Sequence, residues 1–214
     1  MKLFPENKEK IKVIPPSLST EASDIFRTRV KSSQSDHKTL RLVYVGTLYS
    51  GIRHPQKMLD MLKAVRDLSN SDFEVHFFGP VNDVDVSKMA NSYIYFHGKI
   101  NHDDALQFML DADILINIGN FTQFQLPSKL VEYVCTGNPV LNITSTNNDS
   151  SQAFLASYQM SKTVCLSGDI TNNIVREVSD YIKLVSTHSS IINDAYLSKY
   201  SVQNISKQYE LMFD

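Results

Sequence analysis

No run of about eighteen apolar residues, the length a membrane-crossing helix requires, occurs anywhere in the 214-residue chain. The N-terminal stretch MKLFPENKEK carries lysines but no apolar h-region behind them, so it does not read as a secretory signal. Both absences predict a soluble chain. Cysteine is scarce: Cys135 and Cys165 stand alone without a Cys-x-x-Cys spacing, which argues against a zinc or dithiol motif and for a reduced, cytosolic setting. A basic excess is missing too. Twenty-one lysines and arginines against twenty-three aspartates and glutamates leave a formal charge of −2, unlike a nucleic-acid binder or a surface held by anionic lipid. The expected partner is a small molecule or another protein.

A hydrophobic content of 42% suffices for a proper core, and the length fits one domain with extra segments at its ends. Ile11 to Ile14 is a short β-branched run closed by Pro15-Pro16, and the stretch to Lys38, rich in Ser, Thr and charge, reads as a connector rather than core. From Leu40 the texture changes. LRLVYVG, FEVHFFG, YIYFHG, ADILINIG, PVLNI and KTVCLS read as six strands. Between them, residues 54–68 place Met58, Met61, Leu62, Val65 and Leu68 on one helical face, and a short helical piece is expected over 83–91. Asn101 is a good N-cap, with Asp104 at capping-box distance, for a helix burying Ala105, Leu106, Met109 and Leu110. Pro127 opens another helix, which Gly137 and Asn138-Pro139 stop. A helical piece near 152–158 and closing helices to Asp214 complete the pattern. Such alternation predicts an α/β fold, a Rossmann-like doubly wound parallel sheet of about six strands with helices on both faces.

In such sheets ligands bind beyond the carboxyl ends of the strands. Three nucleotide signatures are missing there: no Gly-x-Gly-x-x-Gly follows the first strand, there is no Gly-Lys-Ser/Thr loop, and no Asp pair ends the first strand. Dehydrogenase, P-loop and receiver readings weaken accordingly. The helix after Pro127 offers something else. Its N-terminus has unpaired N–H groups and partial positive charge, and Lys129 adds a cation where the helix dipole alone would favour an anion. That combination suggests an anionic guest. Ser128, Lys129 and Glu132 can share one flank while Leu130, Val131 and Val134 turn to the sheet. A carboxylate one turn below a phosphate can accept hydrogen bonds from a ribose diol; the alternative is a plain Lys129/Glu132 surface pair. Arg53, between the first strand and its helix, can fork onto phosphate oxygens or simply be solvated. The Asp-x-Asp pairs Asp111/Asp113 and Asp83/Asp85 read as structural, and His97 and His102 have no partner at metal-ligand spacing.

These residues carry a resemblance. VGTLYSGIRHP, VHFFG, IYFHGKINHDDALQFMLDADILINI, LPSKLVEYVCTGNPVL and YSVQNISKQYELM, in that order, resemble the C-terminal, donor-binding half of a GT-B glycosyltransferase of the bacterial group that builds capsule, O-antigen and other surface polysaccharides. PSKLVEY followed by TGNPV is the most specific part, and IKVIPPS resembles the strand and linker entering that half. The resemblance implies a linker with an N-terminal remnant over 1–38, a donor-binding domain over 39–214, and an acceptor-binding N-terminal domain that this chain lacks. It implies that Ser128, Lys129, Leu130 and Arg53 bind the donor diphosphate, Glu132 the ribose, and the loop His97, Gly98, Lys99, Ile100 the nucleobase. Gln123 and Gln125 become sugar contacts, and no catalytic residue is assigned on this half. The implied activity is transfer, with retention and without metal or other cofactor, from a UDP- or GDP-sugar to a glycan or lipid-linked acceptor. The implied setting is cytoplasmic, with any membrane contact through the absent half or the acceptor. A non-catalytic nucleotide-sugar-binding or interaction module on the same fold is the alternative. Many relatives carry two glutamates eight positions apart; here the position eight before Glu132 is Phe124, which leaves the sugar contacts open.

Overall fold

The protein, a computed structural model, is described for residues 14–28, 39–69, 72–120, 124–187, 192 and 194–213. Strand β1 (Leu40–Val45) is central and buried on both faces, as its apolar run requires. Leu42 and Tyr44 point to one side, where α2 (Gln56–Ser69) and α6 (Asn172–Val185) pack; Val43 and Val45 point to the other, under α3 (His102–Asp111) and α4 (Lys129–Thr136). Around β1 stand β3 (Phe73–Phe78), β5 (Ile94–Gly98), β6 (Ile114–Ile118), β7 (Val140–Thr144) and β8 (Ser161–Cys165), all parallel, in the order β5-β3-β1-β6-β7-β8. The chain runs outward from β1 to β5, then returns to β6 on the other side of β1. The crevice between β1 and β6 is therefore the topological switch point.

Local chemistry sets the element ends. Asn101 accepts the Asp104 N–H at 2.7 Å and caps α3, whose buried face is the expected Ala105, Leu106, Met109 and Leu110. Gly137 stops α4 with φ of 74°, a left-handed conformation that glycine adopts without strain. α4 is shorter than the sequence implies. Pro127 precedes it, and Leu130 N–H and Val131 N–H bond back to the carbonyls of Pro127 and Ser128 at 3.1 and 3.3 Å. The piece expected over 152–158 forms earlier, as α5 (Ser150–Leu155), because Asp149 caps it by accepting Ser151 N–H at 2.8 Å. The closing segment folds as α6, α7 (Asp194–Lys199) and α8 (Val202–Glu210), helical as expected.

Two expectations fail. Residues 83–91 form no helix: after β4 (Val81–Asn82) the chain turns, with Asp83 at φ 56° and Asp85 accepting both the N–H and hydroxyl of Ser87. The side-chain turn at Asp85 competes with helical hydrogen bonding there, while Val84 and Met89 still pack on the core. The Ser/Thr-rich stretch before β1 is not merely a connector either. Residues Thr20–Thr28 form α1, and Leu18, Ala22 and Phe26, spaced by four, are buried beside α3 and α4. Ile11 to Val13 of the β-branched run before Pro15-Pro16 lie outside the described residues. No helix among the described residues is long and apolar enough to cross a membrane.

Candidate functional site

At the carboxyl edge, β2 (Leu48–Tyr49) pairs with β4 and pins the loop after β1, while Arg53 N–H bonds Tyr49 O at 3.1 Å to close the turn into α2. Arg53 is thereby brought to the switch point, where it lines one shallow cleft of about 30 Å³ together with Gly46, Asn117, Pro127, Ser128 and Lys129. The cleft joins three of the sequence-chosen residues, Arg53, Ser128 and Lys129, from segments far apart in the chain. Ser128 is exposed at the N-terminus of α4, and its hydroxyl caps nothing. Because α4 leaves from the carboxyl end of β6, its positive end faces this cleft.

Lys129 Nζ lies 2.6 Å from Glu132 Oε2, an ion pair that is not aligned as a hydrogen bond. The glutamate side chain is 18% exposed and the lysine 30%. Cys135 lies deeper in α4, and burial first, then the Glu132 charge, push its thiol up to about 12. Arg53 Nε–H donates to Asn120 Oδ1 at 2.9 Å. Beside it Tyr44 donates its hydroxyl to Thr47 O, and burial raises that phenol to about 12 against the opposing pull of the Arg53 charge. Leu130 differs from its expected role: its side chain is fully buried in the core and its N–H is engaged by Pro127 O, so neither faces the cleft free. Gln125 is exposed, and its carbonyl accepts Asn120 Nδ2 and Ser150 Oγ, each at 2.9 Å. Gln123 lies outside the described residues.

The loop from His97 to Ile100 sits at the end of β5, with β3 between it and β1. Gly98 O accepts Gly79 N–H at 2.8 Å, Lys99 is exposed, and Ile100 packs on the core. The His97 ring turns onto the sheet face. It stacks on Phe78 at 4.3 Å, and its Nε2 meets His76 Nδ1 at 3.0 Å. Burial holds both imidazoles below their ordinary range; for His76 the Glu74 carboxylate opposes this and Arg41 adds to it, and for His97 the His76 ring adds to it. These rings, with Arg41, Phe108 and Asp111, line a groove of about 190 Å³ beside α3. The groove is larger than the cleft, but Arg41 and Asp111 stand at the amino edge of the sheet, away from the strand ends where open α/β sheets bind ligands. Asp113 is structural as expected, accepting Arg41 N–H at 2.8 Å. Among the described residues no three His, Cys, Asp or Glu side chains cluster as a metal site.

Sequence reasoning missed three residues that build the cleft. Tyr133 Oη accepts Val45 N–H at 2.9 Å and ties α4 to the end of β1; burial drives its phenol far above the ordinary range. Asn117 lines the cleft and donates to Asn142 Oδ1 at 2.7 Å. Asn120 is fully buried. The signal for the two asparagines was present, since ILINIGN interrupts a buried strand and its exit with amides that a core tolerates only when bonded.

No known protein family and no curated protein matches the sequence. Solved structures do match in fold. The chain superposes on WaaG, described as a glycosyltransferase involved in lipopolysaccharide biosynthesis, with a TM-score of 0.60 at 14% identity, covering 96% of this chain and 57% of that one. It superposes on Alr3699/HepE of Anabaena, solved with UDP and glucose, at 0.56 and 12%, covering 92% and 52%. The S. aureus MnaA structure with UDP gives 0.52 and 14%, covering 94% and 54%. This chain thus spans little more than half the length of each. The fold is the Rossmann-like six-stranded sheet found as one half of GT-B architectures.

Proposed function

We propose that this chain is the donor-binding domain of a glycosyltransferase that moves a sugar from a UDP- or GDP-sugar to a glycan or lipid-linked acceptor in surface polysaccharide synthesis. The observation that carries the reading is the meeting of Arg53 and Lys129 at the N-terminus of α4, on the switch point, with Glu132 one turn deeper. Two cations and a helix end suit a diphosphate; a carboxylate below them suits a ribose diol. The fold shared with glycosyltransferase structures, and with structures holding UDP, supports the same reading.

In this scheme Arg53, Lys129 and the exposed end of α4 at Ser128 hold the diphosphate, and Glu132 accepts the ribose hydroxyls. Backbone groups of Lys99 and Ile100 in the His97–Ile100 loop meet the base, and Gln123 and Gln125 approach the sugar. The acceptor hydroxyl attacks the anomeric carbon, the bond to the diphosphate oxygen breaks, and the electron pair leaves with the diphosphate. The cations stabilise that developing charge without a metal. With retention, the departing phosphate takes the acceptor proton, so this half needs no protein base. In this reading the acceptor is bound by a second domain in the cytoplasm, and any contact with the membrane is made through that domain or a lipid-linked acceptor. Phe124, 82% exposed eight positions before Glu132, where the resemblance leads to the expectation of a second glutamate, favours one rival: a module that binds a nucleotide sugar without transferring it.

Calorimetric titration with UDP, GDP and ADP in EDTA, on wild type and Glu132→Ala, tests the donor site. Binding of one nucleotide, weakened by the substitution, is expected; binding of none overturns the reading. Transfer to an acceptor glycan once an acceptor domain is supplied separates the enzyme from the rival module.

A further inference from the structure

Asn120 has neither charge nor exposure, yet it joins three loops of the carboxyl edge. Its Oδ1 accepts Arg53 Nε–H from the loop before α2. Its Nδ2 donates to Gln125 O in the loop after β6, and that carbonyl also accepts the Ser150 hydroxyl at the start of α5. The amide orientation is dictated by its neighbours: a guanidinium N–H can only donate and a carbonyl can only accept. Rotating the amide by half a turn would oppose donor to donor and acceptor to acceptor. A fully buried amide locked in this way is a rigid anchor, whereas the arginine it holds is half-buried.

The guanidinium is planar by resonance, and the hydrogen bond at Nε restrains rotation about the last single bond of the side chain, leaving the two terminal NH2 groups as the fork that matches two phosphate oxygens. We propose that Asn120 is a positioning residue for anion binding: it fixes the Arg53 fork toward the cleft shared with Ser128 and Lys129, before any ligand arrives. The ligand class is a diphosphate, so the inference rests on the donor-site reading. Preorganisation is the gain. An arginine already oriented loses less side-chain freedom on binding than one swinging in solvent.

Two measurements on the 214-residue chain test this. In the unliganded protein, the Arg53 Nε–H resonance, assigned by its loss in Arg53→Lys, is expected to be protected from solvent exchange and to lose that protection in Asn120→Ala. In calorimetry with whichever of UDP, GDP or ADP binds, Asn120→Ala is expected to weaken the diphosphate about tenfold, yet to cost nothing further in an Arg53→Lys background, as for two residues acting as one unit. Arg53→Lys alone, which keeps the charge but not the fork, is expected to lose nearly as much affinity as Arg53→Ala; this arm stands even where Asn120→Ala does not fold. An equal loss from Asn120→Ala in both backgrounds would make Asn120 a loop clamp only and overturn the proposal, as would wild-type affinity in Arg53→Lys. If instead Arg53→Ala changes nothing, or no diphosphate binds, the donor-site reading itself falls and takes this inference with it.

Discussion

The ammonium of Lys129 and the carboxylate of Glu132 face each other across 2.6 Å, one turn apart at the start of α4. In the proposed donor site, phosphate would take the place of the carboxylate beside Lys129, and ribose hydroxyls that of the ammonium beside Glu132. Lys129 keeps contact with solvent whereas the pairing oxygen of Glu132 is itself buried, so neutralising Glu132 costs less than about 1 kcal/mol of folding while removing the Lys129 charge costs more. Glu132→Gln is therefore expected to leave the urea midpoint nearly unchanged and Lys129→Gln to lower it, while each lowers nucleoside diphosphate affinity about tenfold, the usual worth of one charge-assisted hydrogen bond. Denaturation and calorimetry on the same samples check both halves of this.

Tyr133 is expected to behave in the opposite way. Its hydroxyl accepts the buried Val45 N–H, so Tyr133→Phe leaves that donor without a partner at a cost of about 1–3 kcal/mol. The measurement is the change in unfolding free energy by urea titration.

Phe26 tests the assignment of α1 to the core. It is fully buried against the face that α3 and α4 cover. Phe26→Ala is expected to cost about 3–5 kcal/mol in the same titration, the usual range for deleting a buried ring; a change below about 1 kcal/mol would mean that α1 adds nothing to the domain.

That helix also shows what sequence conveys and what it hides. The six strands and α3 were legible because continuous Val/Ile/Leu runs and a capped apolar face have one economical burial each. α1 was not, because three apolar residues among Ser, Thr and charges resemble solvated chain until the surface that receives them is known. Residues 83–91 misled for a related reason, since local Asp–Ser turns left no trace in periodicity. Arg53, Ser128, Lys129 and Glu132 were legible as candidates because helix-end chemistry is local. The Asn120–Arg53 bond was not, because it joins residues 67 positions apart. Leu130 was placed by analogy of motif as part of the helix N-terminus, and the bond from its N–H to Pro127 O shows that this backbone donor is already engaged.

Acid should weaken the fold through the β3–β5 imidazoles. His76 and His97 both titrate below their ordinary value of 6.5 in the folded chain, first because burial disfavours the charged ring. The unfolded chain then binds protons first as pH falls, so stability is fully present above about 6.5 and declines as pH drops from there toward the folded-state values. Urea midpoints at pH 7.5 and 5.5 are expected to fall on acidification, with a smaller fall in His76→Phe; an unchanged difference in that variant would assign the acid sensitivity elsewhere.

The central claim is that Arg53 and Lys129 together receive a diphosphate without metal, and the most direct test compares affinities in EDTA for a nucleoside diphosphate and its monophosphate. Wild type is expected to bind the diphosphate more tightly by about tenfold or more, as two cations on one anion require, and the preference is expected to disappear in Arg53→Ala/Lys129→Ala. A preference that survives the double substitution, or equal affinity for both nucleotides in the wild type, would contradict the account.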